Sequence, residues 1–192
     1  MQSADIAKAI LAEAETRRNG RSPFLLAIDG RCAAGKTTLA AQLARLSGCT
    51  VVPVDHFFLR PEQRTAERFA EPGGNVDRER FLDEVLLPLR AGKPFSYRPF
   101  DCHTLSLAAP ISVPPAALYV IEGSYSCHPA LREQYDLTVF LDVDSDEQLR
   151  RIRIRNGPEG ARRFAERWIP LEERYFAVFD VRGHCTLRYP SE

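Results

Sequence analysis

The sequence predicts an α/β fold, a three-layer, doubly wound parallel sheet with helices on both faces. Three observations predict it. Four short, almost wholly apolar runs punctuate the chain, as strands covered on both faces require. Helical patterns fill the intervals between them. The first run leads into a glycine-bracketed turn, Gly30-Arg31-Cys32-Ala33-Ala34-Gly35-Lys36-Thr37, which opens directly into a helix.

In chain order, Ile6, Ala9, Ile10 and Ala14 share one face of a helix over 4–18, which Asn19-Gly20 ends. Strands are expected at 24–28, 50–54, 118–122 and 137–141, and helices at 37–46, 77–90 and 145–155. Asp77 is placed to cap the second of these helices, with Phe81, Val85, Leu86 and Leu89 on its buried side; Pro88 disfavours a regular last turn. All 192 residues fit one domain.

Two segments depart from the alternation. Residues 91–117, rich in proline and aromatics, make a long excursion of the kind that is functional or carries its own hairpin. Residues 150–167 hold seven arginines (Arg150, Arg151, Arg153, Arg155, Arg162, Arg163, Arg167), broken by Asn156-Gly157-Pro158. Helix, break and second arginine-bearing helix together predict a mobile lid.

Net charge is zero, which argues against nucleic acid and membrane surfaces as partners. Five cysteines, odd in number and without C-x-x-C spacing, fit free thiols in the cytoplasm and give no metal framework. His56, His103, His128 and His184 have no ligand spacing, and Trp168-Ile169-Pro170 reads as packing. A homo-oligomer is left open.

The glycine turn is a full G-x-x-x-x-G-K-[ST] phosphate loop. Residues Gly30 to Thr38 are expected to bind a nucleotide. Backbone amides and a helix dipole meet the phosphates, Lys36 reaches the β and γ phosphates, and the Thr37 hydroxyl can hold Mg²⁺. Asp55 and Glu122 each follow a predicted strand, so both carboxylates should stand over the ligand-binding edge of the sheet. One near Mg²⁺ and one near an acceptor hydroxyl is what phosphoryl transfer needs, with the assignment between them open. Arg151 and Arg155, i and i+4 on one face, suit a polyphosphate, and Arg162 and Arg163 could neutralise the same charge. No N-K-x-D base-reading motif of a GTPase is present, nor the L-S-G-G-Q signature of an ABC-type ATPase. A non-kinase nucleotide switch or RNA-associated protein is the remaining alternative.

These pieces resemble the uridine kinase group of P-loop kinases, kin also to phosphoribulokinase and pantothenate kinase. The resemblance runs from about residue 24 to 156. It rests on Ile28-Asp29-Gly30 running into Gly35-Lys36-Thr37-Thr38, on Asp55-His56-Phe57-Phe58, on Pro99-Phe100-Asp101, on Ile121-Glu122-Gly123, and on Arg151 and Arg155. It implies ATP as donor, Asp55 as the base, and Glu122 as an acid near Mg²⁺ or substrate. It also implies an acceptor pocket lined by Phe58, Tyr97, Arg98, Phe100 and Asp101. Ala33-Ala34 stands where the family has a serine and another glycine, and Phe100 replaces its usual tyrosine. The implied acceptor is a small molecule, a nucleoside first; a nucleotide, sugar or vitamin precursor is the alternative, which Arg60 and Arg64 keep open.

Overall fold

The structure, a computed structural model, describes residues 3–190. Its strands are β1 (Phe24–Gly30), β2 (Thr50–Pro53), β3 (Phe95–Tyr97), β4 (Phe100–Asp101), β5 (Ser106–Leu107), β6 (Ile111–Val113), β7 (Leu118–Glu122), β8 (Leu137–Asp142) and β9 (Leu187–Pro190). Its α-helices are α1 (Ser3–Arg18), α2 (Lys36–Ser47), α3 (Ala66–Ala70), α4 (Arg78–Phe81), α5 (Leu87–Arg90), α6 (Pro129–Arg132), α7 (Ser145–Arg163), α8 (Ile169–Phe179) and α9 (Val181–His184).

Five strands form one parallel sheet in the order β2-β7-β1-β8-β9. All four expected strands are present, and β1 lies at the centre. Its side chains alternate between two cores. Phe24, Leu26 and Ile28 face α1 and α2, while Leu25 and Ala27 face Phe81, Val85, Leu86 and Leu89. All five of these β1 residues are buried, which is why the run is apolar throughout rather than alternating. Burying each large one contributes roughly 2 kcal/mol. On α1 the inward face is Ile6, Ala7, Ile10 and Ala14; Ala9, expected inside, is exposed.

The expected strand at 50–54 stops at Pro53 because Val54–Phe57 turns into a 3₁₀ segment, which lifts Asp55 off the sheet edge. Asp77 caps α4 by accepting the amide of Arg80 at 3.2 Å. The helix over 78–90 is interrupted by a π turn, Leu82–Leu86, where the amide of Leu87 reaches Leu82. Pro88 has no amide to offer the turn before it, and the ladder widens just ahead of it. The same device recurs at Phe164–Trp168, ahead of Pro170, where the amide of Ile169 reaches Phe164. Within 91–117, β3 pairs with β6 and β4 with β5, both antiparallel. α7 carries one non-helical residue, Gly157, at φ 72° and ψ 175°, so the break predicted at 156–158 is a kink.

Candidate active site

The phosphate loop leaves β1 at Gly30, whose φ is 135°. A side chain there would put Cβ 2.0 Å from the Leu141 carbonyl oxygen of β8, so only glycine fits. Ala33 and Gly35 are also left-handed, at φ 61° and 93°, and Lys36 begins α2. Asp29, fully buried beneath the loop, receives four hydrogen bonds. Its Oδ1 accepts from the amides of Gly30 (2.7 Å) and Tyr125 (3.2 Å), and its Oδ2 from the Cys127 amide and the Tyr175 hydroxyl (both 2.8 Å). Burial pushes its pKa up, opposed by the Cys127 amide, Lys36, the Gly30 amide and Tyr175. One aspartate thus ties the start of the loop to the 123–128 turn that follows β7.

A cavity of about 900 Å³ opens over the C-terminal ends of β1, β2 and β7. Lys36, Thr37, Asp55, Phe58, Glu122, Arg151 and Arg155, all expected from the sequence, line it. The Thr37 hydroxyl lies 3.3–3.4 Å from the two Glu122 oxygens. Asp55 Oδ1 sits over Gly123, where an added Cβ would lie 3.1 Å from it. Asp55 opens to solvent through the cavity, yet protein surrounds the rest of it. Burial therefore raises its pKa, with Lys36 pulling down and Glu172 pushing up. Glu122 is raised too, by burial first and then by Asp55, against Lys36 and the Thr37 hydroxyl. Two carboxylates near the Lys36 ammonium, both pushed up by burial and Glu122 further by Asp55, make a site able to accept a proton and grip a cation.

Arg151 binds Glu147 at 2.7 Å and the Ala33 carbonyl of the loop at 3.2 Å. Arg150 and Arg151 hold the Glu147 carboxyl down at about 2. Arg155 lies over Phe164, 5.6 Å from its centroid. Arg162 and Arg163 do not line the cavity; Arg162 pairs with Glu159 at 2.8 Å.

Four residues expected in the acceptor pocket also fall outside the lining. Tyr97 is buried behind it, packed on Phe57 with its hydroxyl 2.9 Å from His56 Nδ1. Arg98 binds the carbonyls of Leu107 and Ala108 on the outside of the excursion. Phe100 is buried, with Arg64 stacked over it, and Asp101 caps a turn by accepting the His103 amide at 2.8 Å. Cys102 takes their place on the wall, beside Arg64. Arg60, paired with Glu62 and Asp77, does not reach it.

Other wall residues had no motif to announce them. Trp168, read as packing, lines the cavity with Arg167, whose guanidinium lies 4.8 Å from the Trp168 ring and 5.1 Å from Phe69. Glu172 of α8 is buried and accepts the Cys32 amide at 2.9 Å and the Ser124 hydroxyl at 2.6 Å. Burial, with the Glu172 carboxylate next to it, pushes the Cys32 thiol up to about 12, which disfavours the reactive thiolate.

A uridine kinase from Deinococcus deserti is 29% identical over 151 residues, 73% of this chain and 72% of that protein. A possible uridine kinase from Bacillus stearothermophilus superposes with a TM-score of 0.72 at 20% identity, covering 97% of both chains. A candidate fructose transport system kinase from Silicibacter sp. TM1040 gives 0.70 at 24% identity over 99% of this chain and 100% of its own. The chain has the fold of the uridine kinase-like P-loop kinases. No family model matches it. The likeness to the Deinococcus protein supports a kinase. Among the described residues, no helix is long and apolar enough to cross a membrane.

Proposed function

We propose that the chain is an ATP-dependent phosphotransferase that moves the γ-phosphoryl group to a hydroxyl of a small metabolite. The observation that carries this is the facing of Asp55 and Glu122 with Lys36 and Thr37 across one cavity. Asp55 is the base that accepts the acceptor's proton, and its raised pKa suits that task. Lys36, Arg151 and Arg155 neutralise the transferring phosphoryl.

Thr37 and Glu122 offer hard oxygen donors 3.3–3.4 Å apart, which fits a Mg²⁺ that completes its shell with water and phosphate oxygens. When bound there, Mg²⁺ would offset negative charge on the phosphates. No cage of three or more His, Cys, Asp or Glu exists among the described residues, and such a cage is not what this cation uses.

A nucleoside is the first acceptor class, a reading supported by the likeness to the Deinococcus uridine kinase. Phe58, Phe69 and Trp168 supply faces on which a base could stack. A second acceptor class, phosphorylated or carboxylated, is favoured by one observation. Arg64 and Arg167 line the cavity and have no carboxylate partner among the described residues.

ADP release should be measured with Mg²⁺ and ATP against nucleosides, sugars and their phosphates. Turnover with a neutral nucleoside supports the first class. Turnover confined to anionic acceptors, with KM raised tenfold or more by Arg64→Gln, supports the second. Normal kcat in a folded Lys36→Ala variant refutes the assignment of the loop.

A further inference from the structure

The phosphate loop is capped from within. Glu172, 4% exposed, accepts the Cys32 amide with Oε2 and the Ser124 hydroxyl with Oε1. Lys36 Nζ donates to that same Ser124 oxygen at 3.3 Å, and its other bonds go to the loop's own carbonyls, Gly30 at 2.6 Å and Arg31 at 3.0 Å. The ammonium is therefore folded back on the loop, with a carboxylate two hydrogen bonds away. The adjacent Glu173 grips Arg31, Nε to Oε1 at 2.8 Å and a terminal nitrogen to Oε2 at 3.1 Å. Two successive acids of α8 thus hold two successive residues of the loop.

An amide-lined cradle with a lysine is built for an anion. We propose that Glu172 is its resident anion, displaced when the terminal phosphates of a nucleotide arrive. The proposal rests on the loop being a nucleotide site. A buried carboxylate and a polyphosphate repel at close range, and the phosphates also draw on the Cys32 amide that Glu172 holds and on Lys36, which it reaches through Ser124. Filling the loop then releases the first turns of α8. Those turns continue directly from the segment bearing Arg167 and Trp168, so nucleotide binding and rearrangement of the arginine segment become one event. Glu172 makes the loop wait, at a cost in nucleotide affinity that its removal should return.

Glu172→Gln tests this, because it keeps the side chain's size and one acceptor oxygen while removing the charge. Calorimetry with Mg²⁺ and a non-hydrolysable ATP analogue should show binding tighter by about 5- to 150-fold in the variant, the usual range of such couplings. Equal or weaker binding in the folded variant overturns the proposal and makes Glu172 a brace for the loop. Hydrogen exchange on the wild-type protein gives a readout independent of the variant's folding. Saturating analogue should speed exchange over 169–176 while slowing it in the loop; unchanged or slower exchange over 169–176 overturns the proposal. If the wild-type protein binds no nucleotide, the kinase assignment falls as well; if it binds and neither effect is seen, only the role of Glu172 falls.

Discussion

Replacing Asp29 with asparagine changes neither the size nor the shape of the side chain, only what it can accept. All four of its partners are donors: the amides of Gly30 and Tyr125 on one oxygen, and the Cys127 amide and Tyr175 hydroxyl on the other. With the new NH₂ in place of Oδ2, the Cys127 amide is left buried and unpaired, a loss of about 1–3 kcal/mol. The buried Tyr175 hydroxyl must also turn to become an acceptor. The other flip strands two amides and is worse. Against this stands the relief of removing a buried carboxylate whose pKa burial has raised. Four donors and the nearby Lys36 show that the site is built for the charge, so the loss should win by about 2–4 kcal/mol. For a chain of this size that lowers Tm by roughly 5–12 °C. Differential scanning calorimetry at pH 7 measures it, and a Tm unchanged or raised would refute the view that Asp29 anchors both loops as an acceptor.

The other expectations concern the cavity. Asp55→Asn should leave nucleotide affinity intact and lower kcat by at least about 10²-fold, the scale of general-base catalysis; collapse of affinity with survival of rate would make Asp55 a metal ligand. The pKa values of Asp55 and Glu122 are raised on folding, so their stabilising contribution is complete below the unfolded values near 4 and is lost as pH rises through the folded ones. Asp55→Asn should therefore raise Tm at pH 7, with the gain shrinking toward pH 4; a gain independent of pH contradicts the charge account. Gly30→Ala should yield insoluble or strongly destabilised protein, because Cβ would meet the Leu141 carbonyl, and a normal melting curve would refute the packing assigned to the loop. Residues 156–163 should exchange amide hydrogens more slowly with nucleotide than without it, and equal rates in both states would reject the lid.

What the sequence could reveal followed the kind of signal each element carries. The interior strands announced themselves because both faces are buried. β9 did not, since Leu187, Arg188, Tyr189 and Pro190 alternate half-buried with exposed at the sheet's edge. Trp168-Ile169-Pro170 read as packing, yet a π turn over Phe164–Trp168 carries the chain past Pro170 into α8 and leaves Trp168 on the cavity wall. The phosphate loop, Asp55 and Glu122 were legible from motif and strand ends. Glu172 was not, because no spacing links it to a loop 140 residues earlier; only the packing of α8 brings it there. The excursion misled in the opposite sense. Tyr97, Arg98, Phe100 and Asp101 sit on hairpins whose pairing turns them away from the cavity and leaves Cys102 facing it.

The most direct measurement is calorimetric titration of the purified, folded chain with ATP in the presence of magnesium. A single saturable site, abolished by Lys36→Ala in a variant with an unchanged melting curve, is the predicted result. No heat with either ATP or GTP from well-folded protein would contradict the account at its root.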